Sequence, residues 1–185
     1  MTTPLWTRRT FGCRLAAAAA AIGVTDRALA APEAAAPAEG ITWSSAAIHQ
    51  ETTFTVPRSH VYRALTDATE FDKIVRLSAA AAYATRPGAP PTMIRAEIGG
   101  AFSLFGGYVT GQQIELVPDE RVVQVWRSGA WDPGSYSIAT FTLKGSGQGT
   151  HLLFDQRGFP DDQARHLAEG WHVNYWEPMQ KVLGR

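Results

Sequence analysis

The stretch from Met93 to Gln156 reads MIRAEIGGAFSLFGGYVTGQQIELVPDERVVQVWRSGAWDPGSYSIATFTLKGSGQGTHLLFDQ. Short runs rich in β-branched and aromatic residues alternate there with glycine, proline and aspartate. Met93–Ile98, Ala101–Phe105, Tyr108–Val117, Arg121–Ser128, Ser135–Leu143 and Thr150–Gln156 each favour a strand. Between them stand Gly99-Gly100, Gly106-Gly107, Pro118-Asp119, Asp132-Pro133-Gly134 and the segment Gly145–Gly149. These residues permit turns and bulges that most others resist. Consecutive strands on such short connections build an antiparallel meander.

Upstream, Ile48–Val56 alternates Ile48, Thr52, Phe54 and Val56 with polar residues, as a half-buried strand does. Pro57 ends it and suits the first turn of a helix that carries Val61, Tyr62 and Leu65 on one face. Asp67-Ala68-Thr69-Glu70 is an aspartate-led capping box opening a second short helix, with Phe71, Ile74 and Val75 on one side. Ala79–Pro91 stays open between a helical extension through its alanines and a loop demanded by Pro87, Gly88, Pro90 and Pro91. Downstream, Asp161–Leu183 places Leu167, Trp171, Tyr175, Met179 and Val182 on one helical stripe. Such a helix would run roughly 34 Å, with a kink expected at Pro178, which cannot bond the carbonyl of Asn174. The expected fold is α+β: a helix-grip arrangement, with two short helices after the first strand and a curved antiparallel sheet wrapped around the long C-terminal helix.

Before this domain the chain reads as an address. Arg8-Arg9 precede Phe11, an alanine-rich apolar stretch runs from Leu15 to Val24, and Ala28-Leu29-Ala30 offers small residues at the peptidase positions. This order is that of a secretory signal, and the arginine pair marks the twin-arginine export route. The apolar stretch is too short to remain as a membrane anchor. Cleavage after Ala30 would leave 155 residues with 13 basic and 16 acidic side chains, and no cysteine, since Cys13 lies in the signal. Residues 31–40, rich in alanine and proline, form an expected spacer, so the folded domain is residues 41–185. The expected location is periplasmic or secreted, with the twin-arginine export machinery as one partner.

Composition excludes several classes of function. The 185 residues suit one domain, and 45% hydrophobic against 18% charged residues describes a chain with a core to bury. Formal charge is balanced at 17 basic and 17 acidic residues, which offers no electrostatic attraction to nucleic acid. His166 and His172 are six apart on the last helix and do not converge, and His49 and His60 lie on other elements, so no metal site is expected. Gly145-Ser146-Gly147-Gln148-Gly149 joins two strands and is a hairpin loop, not a nucleophile elbow.

Strand parity gives an inward-facing set. Phe102, Tyr108, Gln112, Trp126, Phe141, Phe154 and Gln156 face Trp171 and Tyr175 of the helix, and Phe71 closes one end. By the same parity His151 and Asp155 face outward, and Trp131 belongs at a rim or on the surface. Buried indoles need partners for their N–H groups, which Gln112 or Gln156 could supply to Trp126 and Trp171. An apolar wall with a few polar tips is what a small-molecule cavity requires, and equally what a filled core looks like.

The segment Gly99–Gly111, GGAFSLFGGYVTG, resembles the C-terminal domain of the activator of heat-shock-protein-90 ATPase. So do Leu116-Val117-Pro118, Val125-Trp126-Arg127, Gly170-Trp171, Tyr175-Trp176 and, in the first helix, Val61–Asp67. The resemblance spans about Ile48–Leu183. It implies membership of the START-like, or SRPBCC, superfamily of helix-grip proteins, whose members commonly enclose an apolar cavity between sheet and long helix. Many relatives carry histidine in the strand before the Gly-Phe-Pro turn; that place holds Gln156 here, ahead of Gly158-Phe159-Pro160. The resemblance turns the aromatic set into an expected binding site for a small apolar or amphipathic ligand, with no cofactor. A cyclase- or hydratase-type enzyme on the same scaffold would need an acid or base in the cavity, with His172, Glu97 and Tyr108 as its candidates. A chaperone-associated role is the remaining expectation, and the export signal points away from it.

Overall fold

Alternation of apolar and polar side chains sets the first strand, β1 (Ala47–Phe54), which buries Ile48 and Phe54 and leaves His49 and Glu51 outside. The structure, a computed structural model, describes residues 47–184. The signal residues Arg8, Arg9, Phe11, Ala28 and Ala30 and the 31–40 spacer lie outside those residues.

Pro57 takes the N-cap of helix α1 (Arg58–Thr66), one place before the expected first turn. Helix α2 (Ala68–Leu77) is capped by the Asp67 carboxylate, which accepts from the N–H groups of Thr69 at 2.8 Å and Glu70 at 3.0 Å. Only half of a capping box forms. The Asp67 N–H is already spent on the Arg63 carbonyl at the end of α1, so Glu70 pairs with Lys73 and Arg63 instead. The open segment resolves into a short helix, α3 (Ala81–Thr85), followed by a proline-rich loop. The start of α3 is tied to the last helix: Ala80 N–H donates to Asn174 Oδ1 at 2.8 Å.

The meander follows as β2 (Met93–Ile94), β3 (Ala101–Leu104), β4 (Val109–Val117), β5 (Arg121–Ser128), β6 (Ser137–Ser146) and β7 (Gly149–Arg157). With β1 they make one antiparallel sheet of order β1-β7-β6-β5-β4-β3-β2. β2 is shorter than Met93–Ile98 because the chain doubles back at Gly99 and Gly100. Gly99 sits at φ 80°, and a Cβ on Gly100 would meet the Glu97 carbonyl oxygen at 2.7 Å, so only glycine fits. β4 carries a bulge between Gln113 and Glu115, which reverses which side chains face inward along it.

The C-terminal helix is continuous but not uniform. A 3₁₀ turn (Asp161–Gln163) leads into α4 (Ala164–Trp171), a π-helical turn follows over His172–Trp176, and α5 (Glu177–Leu183) completes it. The π turn sits where the kink is expected. Pro178 has no N–H for the Asn174 carbonyl, and the ladder widens just before it, with Glu177 N–H donating to His172 O. An i→i+5 step then brings Trp176 over Trp171, with ring centroids 5.6 Å apart and planes 18° from parallel. No described helix is long and apolar enough to cross a membrane.

The helix lies on the concave face of the sheet, and the core is aromatic. Trp171 touches Trp126, Phe141, Phe154, Tyr175 and Trp176 at centroid distances of 4.1–5.8 Å. The far end of the helix is pinned to β1 by Trp176 Nε1–H donating to Gln50 Oε1 at 2.6 Å and Gln180 Nε2–H to Thr52 Oγ1 at 2.9 Å.

On the outer face, as parity predicts, His151 and Asp155 of β7 meet β1. His49 bridges Asp155 at 2.9 Å and Glu51 at 3.1 Å, and His151 Nε2 reaches the other Glu51 oxygen at 2.7 Å. The hydrogen bonds to Asp155 and then Glu51 raise the His49 pKa above its ordinary 6.5. Those from His49 and then His151 lower the Glu51 pKa below its ordinary 4.5. A raised histidine stabilises fully below 6.5 and loses that contribution as pH climbs through its folded value. A depressed carboxylate stabilises above 4.5 and loses its contribution as pH falls through its own. Both therefore act together between pH 4.5 and 6.5. The gain is small, because these side chains are half exposed and screened. A His49→Gln variant is expected to flatten the dependence of Tm on pH above that interval, where His49 loses its proton, and below it, where Glu51 gains one, and thermal melts in a pH series check it.

Candidate functional site

A cavity of about 90 Å³ lies between the meander and the C-terminal helix, at the end where β3–β5 meet α4 and the π turn. Its floor is Trp126 and Ser128 of β5 and Val109 of β4, and its far wall is Trp171 and Tyr175. Phe105 and Tyr108 come from the β3–β4 turn, while Ala130 and Trp131 come from the loop after β5. Phe105 is placed there by a left-handed backbone, φ 51°, that a bulky residue rarely adopts. The exposed Ala130 and His166 mark the mouth. Gly170 of α4 also lines the space, and a Cβ there would meet nothing nearer than Asn174 Nδ2 at 3.9 Å. Among the described residues no lysine, arginine, aspartate or glutamate lines the cavity.

Of the ten residues expected to form a site, Tyr108, Trp126, Trp171 and Tyr175 meet at this cavity. Phe71, Phe141 and Phe154 are buried behind it as solid core. Phe71 packs edge-on against Phe105 and Tyr175 at 6.0 and 5.5 Å and so backs the cavity without lining it. Phe102 is buried where β3 faces β4, its ring filling the space that Gly111 leaves empty.

Gln112 corrects the parity reading: it is exposed, and Gln113 is buried in its place. Leu116 faces inward beyond the bulge, and counting back by twos from it crosses the bulge and arrives at the wrong face. Gln113 Oε1 accepts from Gln124 Nε2 at 3.3 Å and reaches neither indole. Gln156 does partner an indole. Its Oε1 accepts from Trp171 Nε1–H at 2.6 Å, its Nε2 donates to Ser137 Oγ at 2.8 Å, and Ser137 Oγ donates to the Trp126 carbonyl at 3.2 Å. Trp131, expected at a rim or surface, is buried and packs edge-on against Trp126 at 5.4 Å. The preceding loop folds it inward, with Arg127 Nη2 donating to the Trp131 carbonyl at 2.6 Å. An aromatic beside Asp132-Pro133-Gly134 was the available signal for it. Ser128, Gly170 and Asn174 carried none.

Burial pushes the Tyr175 phenol well above the usual tyrosine range, and the Trp126 indole N–H beside its oxygen opposes that rise. Tyr175 therefore remains a neutral phenol. Of the acid–base candidates, only Tyr108 lines the cavity; Glu97 is exposed, and His172 is exposed and paired with Glu177 at 3.2 Å. Among the described residues no group of three or more His, Cys, Asp or Glu could hold a metal ion.

Residues 55–184 match the family model described as activator of Hsp90 ATPase homolog 1-like protein. The chain belongs to this family. Human activator of 90 kDa heat shock protein ATPase homolog 1 is 30% identical over 94 residues, covering 51% of this chain and 28% of that protein. The Dictyostelium discoideum activator homolog is 38% identical over 79 residues, covering 42% of this chain and 21% of that protein. The chain thus spans well under half the length of the curated relatives it matches. Among solved structures, an HSP90 activator from Plasmodium falciparum superposes with a TM-score of 0.63 at 21% identity, covering 75% of this chain and 96% of that one. CalU16 from Micromonospora echinospora superposes with a TM-score of 0.58 at 17% identity, covering 74% and 75%. These likenesses establish the helix-grip fold. In this member of the Hsp90-activator-like family, Gln156 orients Trp171 through its amide oxygen.

Proposed function

We propose that this domain is a binding module that holds a small, mainly apolar or amphipathic molecule between the sheet and the C-terminal helix. The observation that carries the reading is a cavity walled by Phe105, Trp126, Trp131 and Trp171, with no carboxylate or ammonium among its described lining residues. Such a lining rewards apolar area, and its acid–base groups are confined to the phenols of Tyr108 and Tyr175 and to His166, exposed at the mouth. A ligand at a free concentration near 100 Kd would add about 2.7 kcal/mol of stability, enough to raise Tm by several degrees. Thermal melts with small apolar compounds check this. The decisive variant is Gly170→Leu, whose side chain would enter the open space beside Gly170. It is expected to keep or slightly raise the Tm of the free protein, since leucine favours a helix over glycine by about 0.5–1 kcal/mol. It should also abolish the ligand-induced shift. A shift that survives Gly170→Leu places binding elsewhere and sinks the reading.

Export by the twin-arginine route belongs to the same proposal, supported by Arg8-Arg9, Phe11 and Ala28-Leu29-Ala30. Replacing Arg8 and Arg9 together by lysine is expected to hold the uncleaved chain inside the cell, as cell fractionation and intact mass would show. Family membership favours one competing reading, a chaperone-associated interaction domain like the relatives named as Hsp90 ATPase activators. Stimulation of an Hsp90-type ATPase by the protein, undiminished in Gly170→Leu, would favour that reading over ligand binding.

A further inference from the structure

Three buried donors on the walls of this cavity make no well-formed hydrogen bond among the described residues: Trp126 Nε1–H, which lies beside the Tyr175 oxygen without closing a good bond to it, Trp131 Nε1–H and the Tyr175 hydroxyl. Leaving a buried donor unmade costs about 1–3 kcal/mol, and native structures hold few such groups. Three at one cavity is therefore a concentration that calls for an acceptor. Elsewhere in the core the same residue types are satisfied: Trp171 Nε1–H binds Gln156 and Trp176 Nε1–H binds Gln50. Indole N–H donates and cannot accept, and a phenol donates readily, so the set is matched to a group that only accepts.

The sign of that group is also constrained. A carboxylate or phosphate brought here would lose its hydration with no lysine or arginine among the described lining residues to replace it, and the one imidazole of the lining, His166, stands exposed at the mouth. A neutral oxygen acceptor carries no such cost. The space of about 90 Å³ is below the 150 Å³ of a closed cavity that takes benzene, so the occupant is compact, and a ring of benzene's size extends into the mouth beside Ala130 and His166.

Resting on the cavity reading above, we propose that the site selects compact neutral carbonyl compounds over hydrocarbons of the same shape, the carbonyl oxygen accepting from Trp126, Trp131 and Tyr175. The test uses cyclopentanone and methylenecyclopentane, which differ in carrying C=O or C=CH₂ on one ring. Both are titrated into the ¹⁵N-labelled protein while the indole N–H resonances are followed, with Trp126→Phe and Trp131→Phe identifying the signals. Cyclopentanone is expected to bind at least about tenfold more tightly than the alkene, a difference of about 1.4 kcal/mol. It should move the Trp126 and Trp131 indole protons downfield while the Trp171 signal, held by Gln156, stays in place. Tyr175→Phe, which keeps the ring and removes the hydroxyl, should reduce the ratio of ketone to alkene affinity severalfold.

Equal affinities for the two probes would overturn the acceptor inference and leave the cavity reading standing. Binding of neither probe would overturn both. Ketone binding without movement of either indole signal would mean that trapped water keeps the donors, which also overturns the inference.

Discussion

Trp171→Ala is expected to remove about 3–5 kcal/mol of stability, as truncating a buried tryptophan does, which is a large share of the roughly 5–15 kcal/mol that holds an ordinary domain together. The reason is position. Trp171 is 2% exposed and stands where the rings of Trp126, Phe141, Phe154, Tyr175 and Trp176 converge, so its loss opens a hole that every neighbour borders. Neighbours on a sheet and a helix cannot all move in to fill it. Trp171→Phe separates packing from hydrogen bonding. Phenylalanine refills part of the volume but strands Gln156 Oε1 without its donor, at a cost of about 1–3 kcal/mol. Urea unfolding is expected to rank wild type above Trp171→Phe and Trp171→Phe above Trp171→Ala, with the alanine variant partly unfolded without denaturant at elevated temperature. A midpoint for Trp171→Ala within experimental error of wild type would show that the helix does not depend on this residue for docking.

Gly111→Ala is the second large effect, and it acts through backbone. A Cβ at Gly111 would collide with the carbonyl oxygen of Val125 on the neighbouring strand and with the ring of Phe102. The first contact is not the far end of a flexible side chain, so relief requires β4 and β5 to part. Overpacking a core by one methyl typically costs about 1–3 kcal/mol, and a clash against a paired strand belongs at or above the upper end. Gly145→Ala makes the matched control. Nothing lies within 4 Å of a Cβ there and its backbone is not left-handed, so its midpoint is expected to stay within about 0.5 kcal/mol of wild type. The pair should also differ in the indole resonances near the cavity, which Gly111→Ala disturbs through Trp126, its register partner.

Gly111 also shows why the meander could be read from the chain while the cavity could not. Punctuating glycines and prolines and the period-two runs between them locate strands, because turns need special backbones and strands need alternate faces. The order of elements and the long helix followed directly. Which face each side chain takes is a harder quantity, because it accumulates error along the strand. Gly111 faces inward with no side chain to announce it, Ile114 is apolar yet exposed, and the bulge after Gln113 reverses the count. Gln112 was misassigned for that reason. In β7 no bulge intervenes, and Leu152, Phe154 and Gln156 face the core as parity requires.

The π turn had a partial signal. Pro178 announces a disturbed ladder, but whether a helix answers by bending or by widening is decided by what it rests on. Here the widened turn sets Trp176 over Trp171 while Tyr175 keeps its own contact with that ring. The cavity depends on still finer facts, chiefly that Gly170 carries no side chain and that the loop folds Trp131 inward. Neither is a property of composition or period.

The pairing of β1 with β7 sets a clock on synthesis. His49 and Asp155, hydrogen-bonded across that seam, are 106 residues apart in the chain. At about 5–20 residues per second, a ribosome needs roughly 5–20 s to supply the partner strand after β1 has emerged. Throughout that interval Ile48 and Phe54 have no sheet to cover them, and the C-terminal helix that completes the grip arrives later still. Contacts this distant along the chain also slow the final closure. The newborn protein therefore spends seconds with a bare, strand-prone N-terminal segment, and holding factors that bind such segments would raise its yield more than any change to the finished core.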